Sequence, residues 1–139
     1  MLRNSEIKFN TRGAGDIVDI TGELKKTVLE SKIKSGTVVV FTPSATSGLT
    51  TLEYEPGLLR DLPQLMEKLV PSDRAYQHDE TWHDGNGFSH LRSALIGPSL
   101  TIPFIDRELT LGTWQQVVFL EFDTRARQRR LAVQITGEG

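Results

Sequence analysis

Residues 6–11 alternate polar and apolar positions, with Ile7 and Phe9 on one side, and the run stops at Gly13-Ala14-Gly15. That period of two predicts a half-buried strand followed by a turn. Residues 17–20 predict a second, short strand. Thr21 then stands as a helix N-cap, with Glu23 in the first turn where the helix dipole favours an anion. Leu24, Val28, Leu29 and Ile33 fall at helical spacing, and Gly36 occupies the place of a C-cap glycine. Residues 37–42 are β-branched and apolar on both faces, which predicts a buried strand. Residues 49–54 predict another, closed by Pro56-Gly57. Leu58, Leu62, Leu65, Met66 and Leu69 form the stripe of a second helix that ends at Pro71; Pro63 requires a start near Asp61 or a kink. Residues 72–87 are polar and predict a long loop. Residues 88–96, 100–105, 114–122 and 129–135 predict four consecutive strands, with Pro103 placing its strand at an edge or bulge.

Two helices among seven or eight strands predict an α+β fold: a mostly antiparallel, sandwich-like β-sheet core with two helices packed on it. Short breaks between the last strands predict antiparallel pairing of neighbours. The length of 139 residues fits a single domain over 1–139. Several strands are apolar on both faces, which predicts a homo-oligomer.

Composition narrows the chemistry. There is no cysteine, so disulfides, thiolate metal sites and thiol nucleophiles are excluded. A formal net charge of -2 argues against a nucleic-acid partner. No uninterrupted apolar run is longer than that of residues 38–41, far short of the ~20 residues of a membrane span, and the N-terminus lacks the apolar segment of a signal peptide. A soluble, cytoplasmic protein is expected.

Five stretches can carry chemistry. All three histidines, His78, His83 and His90, lie within thirteen residues together with Asn86. Imidazole is the commonest metal ligand and the usual acid–base group near neutral pH, although this spacing matches no ligand code and also suits a solvated loop. In the strand reading Phe88, His90, Arg92 and Ala94 share a face, setting an imidazole beside a guanidinium as an anion would require. The hydroxyl-rich turn with Ser44 and Thr46 offers donors to a phosphate, but it lacks the Gly-Lys-Ser/Thr of a P-loop, so no nucleotide cofactor is expected. Glu53 and Glu55 share a strand face, or form an ordinary exposed pair. Gly112-Thr113-Trp114-Gln115 is a compact turn whose amide can orient a substrate or close a hydrogen bond. Among Arg125, Arg127, Arg129 and Arg130, Arg129 is the candidate to clamp a phosphate, against the plainer reading of a charged edge strand.

Taken in order, Leu49-Thr50-Thr51-x-Glu53, Tyr76-x-His78, Asn86-x-x-Ser89-His90-Leu91, Leu95-x-Gly97-x-Ser99, Ile102-Pro103, Leu109-x-Leu111-Gly112-Thr113-Trp114-Gln115 and Arg129-Arg130-Leu131 resemble the YjbQ-like family, often named the secondary thiamine-phosphate synthase family. The resemblance spans nearly the whole chain. It implies a compact α+β fold, a homotrimer, and a weak thiamine-phosphate synthase activity in which a thiazole phosphate displaces pyrophosphate from a pyrimidine methyl diphosphate. It places Glu53, His78, Asn86, His90, Gln115 and Arg129 in the pocket, with Glu53, His78, His90 and Gln115 expected to be catalytic. Asn86 and Arg129 are expected against a small phosphorylated molecule, together with Ser44, Thr46 and Arg92, which are read from the residues above. His78, His83 and His90 would then be the candidate ligands of a divalent metal ion. Many relatives carry histidine at the places of Ser44 or Phe88, and this chain does not. The competing reading is a non-catalytic trimer that binds a small ligand or metal.

Overall fold

The computed structural model describes residues 1–139. In chain order the elements are β1 (Leu2–Asn10), β2 (Ile17–Asp19), α1 (Thr21–Ser31), β3 (Ser35–Phe41), β4 (Ser47–Leu52), α2 (Pro56–Leu69), α3 (Gln77–Trp82), α4 (Gly87–Ile96), β5 (Ser99–Ile105), β6 (Glu108–Leu109), β7 (Gln116–Glu121) and β8 (Gln128–Glu138). Two antiparallel sheets face one another, one ordered β1-β8-β3-β5-β6 and the other β2-β7-β4. The α+β expectation holds, with four helices where two were predicted.

Strand alternation builds the layers. β8 turns Arg129, Leu131, Val133 and Ile135 inward and β3 turns Val38 and Val40 inward. β7 lies in the middle of the smaller sheet and is buried on both faces. Its Val117 and Phe119 join the core shared with the larger sheet and with Leu24 and Val28 of α1. Its Val118 and Leu120 join a second core with Met66 and Leu62 of α2 and Ile96 of α4. The order is therefore larger sheet, smaller sheet, then α2 and α4, while α1 packs into the core between the sheets. No helix is long and apolar enough to cross a membrane.

The differences from the sequence expectation have local causes. The last four strands do not form a meander: β8 inserts between β1 and β3 and β7 joins the other sheet, so only β5 and β6 pair as chain neighbours. Thr21 opens α1 but does not cap it. Its hydroxyl accepts the Val117 N–H, and its own N–H goes to Asp19. Gly36 is not a C-cap, because Lys32 takes the left-handed position at φ 61°. α2 begins at Pro56, capped by the Glu55 carboxylate through the N–H groups of Gly57 and Leu58, and carries Pro63 inside. Residues 88–96 are helix, not strand. Phe88, Ser89, Arg92 and Ser93 all turn inward, the i, i+1, i+4, i+5 stripe of one helix face. The shared face of Phe88, His90, Arg92 and Ala94 therefore does not exist. The loop at 72–87 contains the short helix α3.

Candidate functional site

α3 and α4 meet at a corner, and this corner gathers the histidine-rich stretch. His78 comes from the first turn of α3 and His90 from the first turn of α4. Their ring centroids are 4.3 Å apart, tilted by 50°. Asn86 precedes α4 and places its Oδ1 3.0 Å from His78 Nε2. A carboxamide oxygen only accepts, so in this contact Nε2 is the donor, and Nδ1 is the ring nitrogen left free of Asn86. All three side chains are half-buried. Asp79, which the sequence reading passed over, underlies the pair. Its Oδ2 accepts the Tyr76 N–H and its Oδ1 the Gly87 N–H, both at 2.9 Å. These two backbone donors, Tyr76 first, hold its carboxyl below the usual value.

His83 stands apart. It is exposed and closes α3 in a left-handed conformation. No group of three His, Cys, Asp or Glu side chains is gathered for a metal ion, so the donors within one chain fall short of a metal site.

Ser44, Thr46 and Arg129 do come together, at the end of the two-sheet core, but around a different partner. Arg129 Nε donates to Oε2 of Glu121 at 2.8 Å and Nη2 donates to Oε1, a bidentate pair with a fully buried carboxylate. Nη1 reaches Ser44 Oγ at 2.9 Å and Nη2 reaches Thr46 Oγ1 at 3.0 Å. Thr11 Oγ1 and the Asp123 N–H also donate to Glu121. Four of the five guanidinium N–H groups are thus satisfied internally. Glu121 gave a signal in the sequence: it continues the inward phase of Val117 and Phe119, where an apolar residue belongs.

Arg92 is likewise committed. It is 4% exposed. Its Nε and Nη2 donate to Val70 O and its Nη2 also to Glu67 Oε2 at 2.8 Å, which ties the end of α2 to α4. The anion-facing placement of Arg92 is corrected by this geometry. The Ser72 N–H first, then Arg92 and the Ser72 hydroxyl, hold Glu67 below its ordinary 4.5. The stability this carboxylate contributes is therefore complete above pH 4.5 and is lost as pH falls through the lower folded value. Thermal melts of Glu67→Gln between about pH 5 and 3 should show a flatter acid limb than wild type. The effect is small, because the side chain is 47% exposed and water screens it. A limb of unchanged slope would remove Glu67 from the linkage.

Glu53 is exposed; its carbonyl accepts the Glu55 N–H at 3.0 Å, and its carboxylate makes no hydrogen bond or ion pair within the chain. It follows the end of β4 remote from Ser47, the residue that Ser93 of α4 grips through a 2.6 Å hydrogen bond. Gln115 closes its own turn, accepting the Gly112 N–H at 2.8 Å and reaching Thr51 Oγ1 at 3.4 Å. It lines a surface groove of about 210 Å³ with Thr51, Ile102, Pro103 and Leu111. Of the four catalytic candidates, then, His78 and His90 meet, while Glu53 and Gln115 lie outside their contact.

The family model described as UPF0047 protein YjbQ-like matches residues 5–138. The chain belongs to this family. A UPF0047 protein of Archaeoglobus fulgidus is 41% identical over 128 residues, covering 92% of this chain and 97% of the relative. The UPF0047 protein YugU of Bacillus subtilis is 31% identical, covering 88% and 90%. The fold matches the crystal structure of a YbjQ-like protein of unknown function from Sulfolobus solfataricus, with a TM-score of 0.89 at 26% identity over 99% of this chain and all of that one. It also matches a YjbQ/UPF0047 family protein of Clostridium acetobutylicum, with a TM-score of 0.81 at 34% identity over 94% of this chain and 99% of that one. The YjbQ-like fold is thus shared by relatives from archaea and bacteria, and the α3–α4 corner described above is set within it.

Proposed function

We propose that His78, His90 and Asn86 form the working site of this YjbQ-like protein, that the site takes a small phosphorylated molecule, and that its reaction is of the thiamine-phosphate synthase type. The observation that carries the reading is the meeting of the two imidazoles across the α3–α4 corner. Imidazole N–H groups donate to phosphate oxygens, and a ring whose other nitrogen is fixed by a carboxamide is oriented for proton transfer. In the proposed step the thiazole nitrogen forms a bond to the pyrimidine methylene carbon as the carbon–oxygen bond to pyrophosphate breaks. His78 or His90 gives a proton to the departing pyrophosphate.

One observation favours the second reading, a non-catalytic binding trimer. Arg92 and Arg129 are both committed within the chain, so neither guanidinium is free to stabilise pyrophosphate as it leaves. For assembly as a homotrimer the support is an uncovered apolar strip on the outer face of the larger sheet, where Phe41 is 41% and Ile105 60% exposed beside Val39 and Pro103.

Purified protein given both thiamine precursors, with and without a divalent ion, tests the reading beside His78→Ala and His90→Ala. Wild type is expected to form thiamine phosphate, and each variant to lose about 10²-fold or more of that rate. Equal rates in all three proteins would end the catalytic reading. Calorimetric binding of pyrophosphate without turnover selects the binding reading, and no binding ends both. Light scattering of the same samples should give a trimer, reduced to smaller species by Phe41→Glu; a monomeric wild type would remove the assembly.

A further inference from the structure

We infer that Asp79 is a positioning residue: its carboxylate, shared between the starts of α3 and α4, sets the separation of the His78 and His90 rings. The inference deepens the proposed site and rests on it only for the effect on ligand binding. The ring geometry stands without it.

α3 is held in an unusual way. None of its six residues is buried. Neither core cluster contains a residue of α3 or of the segments that flank it between Pro71 and Asn86. Hydrophobic burial, the usual source of helix placement, is therefore missing here. Polar links replace it: the Tyr76 hydroxyl to Pro71 O at 2.7 Å, His78 to Asn86 at 3.0 Å, and the two Asp79 bonds.

The two Asp79 bonds differ in kind from the others. Tyr76 is the N-cap of α3 and Gly87 is the first residue of α4. Each helix start leaves backbone N–H groups without partners, and a single carboxylate satisfies one at each start. Both bonds are charge-assisted, about twice as strong as neutral ones. The approach is close enough that a Cβ at Gly87 would lie 2.7 Å from Tyr76 Cβ and 3.1 Å from Asp79 Oδ1.

The other half of the corner is anchored without Asp79. α4 buries Phe88, donates from Ser93 to Ser47 O, and sends Arg92 to Val70 O. α4 is thus the fixed member and α3 the dependent one. His78 is next to Asp79 in the chain, and His90 lies three residues after Gly87. Any movement of α3 on α4 changes the 4.3 Å ring separation directly.

The chain has only three histidines, so their imidazole NMR signals can be assigned by substitution, with exposed His83 as an internal reference. In ligand-free Asp79→Ala the His78 and His90 ring resonances are expected to move together towards the position of His83. The His83 signals and the melting temperature should change little. Pyrophosphate affinity should fall at least about tenfold, as expected when a binding group is misplaced by an ångström. Asp79→Asn keeps one carboxamide oxygen for one of the two N–H groups, and intermediate shifts are expected. A folded Asp79→Ala protein with unchanged His78 and His90 resonances would overturn the inference. If Asp79→Ala does not fold, the Asp79→Asn spectrum decides in the same way: displaced rings support it and unmoved rings overturn it. Failure of wild type to bind pyrophosphate would end the phosphate-site reading but leave this inference standing, since it is read from ligand-free spectra.

Discussion

Replacing Arg129 by alanine is expected to cost about 3–5 kcal/mol of folding stability. For a chain of this length that lowers the melting temperature by roughly 10 °C or more. The reason is the partner left behind. Glu121 is fully buried at the end of the two-sheet core, and without the guanidinium its charge keeps only Thr11 Oγ1 and the Asp123 N–H. The pair itself is not the source of the stability, because desolvating both ions offsets most of their attraction. Arg129→Met combined with Glu121→Leu should therefore recover most of the loss, giving a strong positive coupling in the double-mutant cycle. Denaturant melts of wild type, Arg129→Met, Glu121→Leu and the double variant measure it. The result also separates two roles for Arg129. A residue whose main work is clamping phosphate would lose ligand affinity and keep its melting temperature. Additive losses in the cycle would contradict the ion-pair account.

This pair shows where the sequence could be read and where it could not. β8 was legible because Leu131, Val133 and Ile135 alternate without a break, and the same phase carries Arg129 inward. Glu121 continues the inward phase of β7. Two opposite charges at inward positions on two strands signal a buried pair, but only once those strands are known to lie in facing sheets. α1 was legible from Leu24 and Val28. α4 was not, because its pattern is inverted. Ser89, Arg92 and Ser93 face inward with Phe88, while Leu91 and Leu95 face out. A hydrophobicity pattern read under the usual rule hides that helix, and with it goes the true setting of His90 and Arg92. The clustering of the three histidines was plain from the chain. The exclusion of His83 from the pair was not, because it depends on the left-handed conformation of His83 itself, which ends α3. Asp79 was hidden for a related reason: its partners are backbone N–H groups, which leave no mark in a side-chain pattern.

Gly36→Ala should be nearly as damaging as the loss of Arg129, at about 3 kcal/mol or more. Gly36 suggested a helix cap, but it pairs with Gly137 across β3 and β8. A Cβ at Gly36 would fall on the Thr136 carbonyl oxygen and 2.7 Å from the Gly137 Cα. Both are backbone atoms, one pair in from the Ser35–Glu138 end of the ladder, so no side chain can swing aside, and the two strands must separate there. Gly137→Ala meets the same obstacle from the other side, with its Cβ 2.8 Å from the Gly36 Cα. Since either substitution forces the same separation, the double variant should cost less than the sum of the singles. Gly22 provides the contrast. It lies in α1 with nothing within 4 Å of an added Cβ, so Gly22→Ala should be neutral or stabilising by up to about 1 kcal/mol through the lower entropy of the unfolded chain. Chemical denaturation of the four variants tests the ranking. A Gly36→Ala protein as stable as Gly22→Ala would mean that β3 and β8 can part without loss, and the close Gly36–Gly137 pairing would then have no energetic role.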